Sequence, residues 1–125
     1  MWHKDNYRII FRHEMYPSDE RIESAIETML RRGGLEFPVH DGVVRDTYAM
    51  SAVVLQKKIT QDGISAWATL GCGYSFCQME DNFCKRDGRK YAFDRAIKQV
   101  KWSECRQVFQ DMWNENQPKV EVKDE

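Results

Sequence analysis

No apolar run in the chain approaches the roughly 20 residues that a membrane-spanning helix needs, so a bilayer protein is not expected. The opening Met1-Trp2-His3-Lys4-Asp5 lacks the apolar stretch of a secretory signal, which predicts a cytoplasmic chain with reduced thiols. Its four cysteines, at 72, 77, 84 and 105, lack the paired Cys-x-x-Cys spacing of a structural zinc site. They read as small buried hydrophobes, and no metal or cofactor is expected. There is no P-loop, no dinucleotide fingerprint and no serine nucleophile elbow. His40-Asp41 reads as part of a turn, because no second His-Asp element accompanies it. Charge of one sign is missing too: a net charge of −1 argues against a general duplex-DNA binder and equally against a DNA mimic.

What is present is a folded domain. With 125 residues, 12% aromatic and 31% charged, the chain suits one domain over residues 1–114, with a frayed tail over 115–125. Residues 7–12 read as a first strand. Ser18 is a good N-cap for a helix over 18–32, with Ile22, Ala25, Ile26, Met29 and Leu30 at helical spacing and Gly33 beyond its end. Short extended pieces around Pro38 and Asp41-Gly42 lead to a strand over 48–60. A turn at Gln61-Asp62-Gly63 then opens a strand that alternates strictly through Ile64, Ala66, Ala68, Leu70, Cys72, Tyr74 and Phe76. Its other face carries Ser65, Trp67, Thr69, Gly71, Gly73 and Ser75, either a floor for a flat ligand beside Trp67 or a place where a helix comes close. One or two helices over about 89–114 follow, with a break near Ser103. The class is α+β: a largely antiparallel sheet of four to five strands, with the helices packed on one face.

Chemistry concentrates at the junction between the last strand and the following helix. From Lys85 to Lys101 the chain has seven Lys or Arg against two Asp, about +5, leaving about −6 elsewhere. Gly88 reads as the residue ahead of a helix start, where free N–H groups favour an anion. Arg89, Arg95, Lys85 and Arg86 are candidate phosphate ligands, with Phe83, Tyr91 and Trp67 as candidate stacking surfaces. Equally open is a structural alternative in which Arg89 pairs with Glu80 or Asp81, and the other cations form a solvated face.

The sequence Phe76-Cys77, followed by Asp81-x-Phe83-x-Lys85-x-x-Gly88-Arg89-x-x-Ala92-x-x-Arg95-Ala96, resembles small bacteriophage accessory proteins. The likeness covers about twenty residues. Host-defence inhibitors are among such proteins, including anti-Thoeris sponges that hold a cyclic nucleotide signal without cleaving it. The resemblance implies Arg89 and Arg95 as phosphate ligands and Phe83 or Tyr91 as a base-stacking group.

The resulting expectation is a non-catalytic counter-defence protein that sequesters an anionic nucleotide at a pocket beside Gly88, at a homo-oligomer interface. The alternative is an inhibitor that docks on a host defence protein, such as a CRISPR effector or a restriction enzyme. An enzyme acting on a nucleotide ranks third.

Overall fold

A computed structural model describes residues 1–33, 46–78 and 85–117. The elements run β1 (Trp2–Lys4), β2 (Tyr7–Met15), α1 (Asp19–Arg32), β3 (Thr47–Gln61), β4 (Ile64–Gln78), α2 (Lys85–Ile97) and α3 (Ser103–Glu115). The four strands form one antiparallel sheet in the order β1-β2-β3-β4, and the fold is α+β. The pieces expected around Pro38, and the tail from Pro118 onward, lie outside the described residues. None of the described helices is long and apolar enough to cross a membrane.

Local chemistry accounts for the two ends of α1 and for the turn between β3 and β4. Ser18 Oγ accepts from the Arg21 N–H, and Gly33 closes α1 in the left-handed region, at φ 79°, with its N–H bonded to the Met29 carbonyl. Asp62 and Gly63 both take positive φ (52° and 77°), the conformation of a two-residue hairpin turn that keeps the strand twist. The short strand β1, absent from the sequence reading, pairs with β2 and brings Trp2 against Phe11 and Trp113.

The main core lies between one sheet face and helices α2 and α3. Ile9, Val53 and Leu55 meet Ala92, Phe93, Ala96, Phe109, Met112 and Trp113 there, with the rings of Phe93 and Trp113 stacked 4.2 Å apart. Gly71 and Gly73 make the approach possible. A Cβ at Gly71 would run into the Ala96 carbonyl, and one at Gly73 into the Ala92 carbonyl and the Ala96 N. The helix backbone therefore lies directly on β4.

Three expectations need correction. The helices do not share one face: α2 covers Gly71 and Gly73 and α3 joins the same core beside β1 and β2, whereas α1 sits along β4 and overhangs the opposite face, where Arg21 shares a cavity with Met50, Ala52, Val54 and Tyr74. The first C-terminal helix starts at Lys85 rather than Arg89, so Gly88 lies inside its first turn. The alternation along β4 is broken by a bulge, because Gly71 pairs with Leu55 but Thr69 pairs with Gln56. One extra residue reverses the parity of everything before it. Trp67 and Thr69 thus share a face with Cys72 and Tyr74, not with the glycines.

Replacing Gly73 by Ala should force α2 away from the sheet at a cost of about 1–3 kcal/mol, the range of an overpacked core. Urea denaturation of Gly73→Ala measures it; an unchanged midpoint would mean that the helix does not rest on the glycine.

Candidate functional site

Three of the residues singled out at the junction, Arg95, Gly88 and Arg89, have contacts with the sheet. Arg95 is half-buried and donates from Nη1 to the Tyr74 carbonyl at 2.6 Å, and burial lowers its pKa. Gly88 accepts at its carbonyl from Ser75 Oγ (2.7 Å), and its missing Cβ leaves room for the Ser51 side chain. Arg89 lies over the Phe11 ring at 5.6 Å. Lys85 and Arg86 are exposed in the first turn of α2, and Tyr91 is exposed further along the same helix. Phe83, with Glu80 and Asp81, lies outside the described residues. No ligand-sized recess brings Lys85, Gly88, Arg89 and Arg95 together among the described cavities.

Between α2 and the sheet runs a polar seam. His13, Ser51 and Ser75 are register partners across β2, β3 and β4. His13 Nδ1 is 2.9 Å from Ser51 Oγ. Burial, and then the positive charges of Arg89 and Lys85, hold the His13 pKa below its usual 6.5.

The opposite sheet face offers a different arrangement. Arg12 on β2, Ala52 on β3 and Tyr74 on β4 form one row across three strands. Neighbouring strands lie about 4.8 Å apart, so Arg12 and Tyr74 stand roughly 10 Å apart with only a methyl group between them. Over that gap opens a cavity of about 420 Å³, floored by Met50, Ala52 and Val54 and closed on the helix side by Arg21. Arg21 also binds Glu14 Oε2 at 3.3 Å, while Arg12 forms no ion pair among the described residues. Burial, then the hydrogen bond and charge of Cys72, push the Tyr74 phenol up to about 12 against the pull of Arg21 and Arg12. It is therefore a proton donor at any physiological pH.

The same face continues to Trp67. Arg8 donates to Gln56 Oε1 (2.6 Å), Gln56 donates to Thr69 Oγ1 (3.1 Å), and the Arg8 guanidinium lies 4.1 Å from the Trp67 ring centre. Three guanidinium groups and two aromatic rings thus line one sheet face, a combination suited to an anion that carries a flat ring. Sequence reasoning missed Arg8, Arg12 and Arg21. The signal available was the alternation Arg8, Ile10, Arg12 along β2, whose polar members must share a face opposite the buried Ile9.

Comparison of the chain with protein-family models, with curated proteins and with solved structures gave no match.

The His13 seam has a measurable consequence. A folded pKa below 6.5 means that the unfolded chain takes up the proton first. Stability should be whole above pH 6.5, fall as pH drops from there through the lower folded pKa, and level off beneath it. Melting temperatures between pH 7.5 and 4.5 should show this loss, and His13→Gln should flatten that part of the profile. Equal slopes for the two proteins would exclude His13 as its source.

Proposed function

We propose that this protein captures an anionic nucleotide on the open face of its sheet, holding the ligand without chemical change, as a sponge for a nucleotide signal does. The reading places the ligand in the recess over Ala52 rather than beside Gly88. The phosphate lies between Arg12 and Arg21, the Tyr74 hydroxyl donates to it, and the base covers Met50 and Val54. The observation that carries it is the recess itself: two guanidinium groups and a permanently protonated phenol around an apolar floor of ligand size. Arg12, Arg21 and the Tyr74 phenol supply donors, while Glu14 and His13 also line the recess and the Glu14 carboxylate is bound by Arg21. The counter-defence role follows from the resemblance at residues 76–96.

A second reading has one observation in its favour. Arg86, Lys90 and Tyr91 are exposed together on α2 and would suit docking on an acidic surface of a host defence protein.

A melting screen with cyclic and linear adenosine and guanosine nucleotides tests the first reading. Saturation at roughly 100 Kd should add about 2.7 kcal/mol of stability. Arg12→Ala should remove about 1.5–3 kcal/mol of binding, on the order of ten- to a hundredfold in Kd, while Arg89→Ala leaves Kd unchanged. Ligand released by denaturation should be recovered intact. If no nucleotide shifts the melting temperature, capture is wrong. A shift that Arg89→Ala abolishes and Arg12→Ala spares would return the site to the helix junction.

A further inference from the structure

The exposed strand of the sheet is capped along one half and bare along the other. At the far half of β4 the outward backbone groups are taken by side chains. The Gln99 amide accepts from the Cys72 N–H (2.9 Å) and donates to the Cys72 carbonyl (2.8 Å), as a neighbouring strand would. Arg95 takes the Tyr74 carbonyl, and the Met29 sulfur accepts from the Tyr74 N–H at 3.3 Å. No described side chain does the same for residues 64–68.

Those residues begin in an arm. Pairing of β2 with β3 ends at Tyr7 and Lys57, and the Lys58 N–H still bonds the Asn6 carbonyl (2.6 Å), so the stretch from Ile59 around the turn to Ala66 is a two-stranded ribbon projecting past the rest of the sheet. A two-stranded ribbon is marginal in water on its own. This one leaves Ile59 and Ile64 47% and 74% exposed. An open edge is ordinarily guarded by lysine, proline or another charge, yet Ile64–Gln78 contains no charged residue and no proline.

We infer that residues 64–68 of β4 pair with the same segment of a second copy of this chain, antiparallel about a two-fold axis at Ala66. The sequence is self-complementary in that register. Ala66 meets its own copy, Ile64 faces the small Ala68, and Trp67 faces the small Ser65. Large side chains thus oppose small ones on both faces, and no like charges meet. Gln99, Arg95 and Met29 stop the pairing short of Cys72, so the shared segment is brief and the dimer dissociates on dilution. The sheet becomes a continuous eight-stranded one, and each arm gains the partner strand that it lacks.

Sedimentation velocity across a wide concentration range tests this, with hydrogen exchange at the dilute and concentrated ends. The expected result is a concentration-dependent dimer, with slower amide exchange over residues 64–68 in the concentrated sample. The double variant Ile64→Lys/Ala66→Lys brings like charges together across the axis and should remain monomeric, with the melting temperature of the dilute parent protein. Both substituted side chains are exposed, so the monomer fold is not at stake. A parent protein that is monomeric at every attainable concentration overturns the inference, as does a dimer that the double variant retains. Faster exchange in the concentrated sample, or exchange unchanged while a dimer forms, places the contact elsewhere and overturns it as well.

Discussion

The contact between the α2 backbone and the two glycines of β4 sets the position of nearly everything else. Because Gly71 and Gly73 present no side chain, the carbonyls of Ala92 and Ala96 descend onto the strand. At that distance the side chains of Arg95 and Gln99, one helical turn apart, reach past the strand and bind its outward backbone groups. A bulkier residue in the strand would lift the helix, and both reaches would fail together. Phe93 would lose its stacking on Trp113 by the same displacement. Two residues that contribute no packing of their own therefore govern the core and the edge at once.

The same contact bears on how the cationic segment is held. Two of the charges at the junction answer a local demand. Arg95 satisfies a backbone carbonyl, Arg89 covers an aromatic ring, and Lys85 and Arg86 stay in solvent. Around the helix these charges divide, with Lys85 and Arg89 both close enough to act on His13 while Arg86 and Lys90 are exposed. The opposite sheet face reverses this relation. Arg8 and Arg12 on β2, Arg21 on α1, Trp67 and Tyr74 on β4 are scattered through the chain, yet strand register and one overhanging helix gather them on one surface.

Charge and edge chemistry divide the molecule's two candidate surfaces cleanly. The basic face is side-chain chemistry: donors and rings above an apolar floor. The arm is backbone chemistry: unpaired amides and carbonyls on a strand with small, neutral side chains. The two are joined through Trp67, which adjoins the arm by position and belongs to the basic face by orientation. The arm therefore bears on both.

Elements governed by neighbours in sequence were legible from sequence. Ser18 and Gly33 announced the limits of α1, and Asp62-Gly63 announced the hairpin. Each rests on interactions within a few residues. The α+β class followed from the same signals. The bulge at Leu70 was not legible, because it is settled by how β3 pairs with β4, and a single inserted residue moved Trp67 to the other side of the sheet. The glycines of β4 fitted either a ligand floor or a helix contact, and only the position of α2 decided for the helix. The placing of α1 on the face away from α2 was likewise a tertiary matter, since an amphipathic helix specifies that one side is buried but not against what. Sequence determined the local conformations and the residues able to bind an anion. Tertiary structure decided which of those residues meet, because that depends on register and helix placement between segments far apart in the chain.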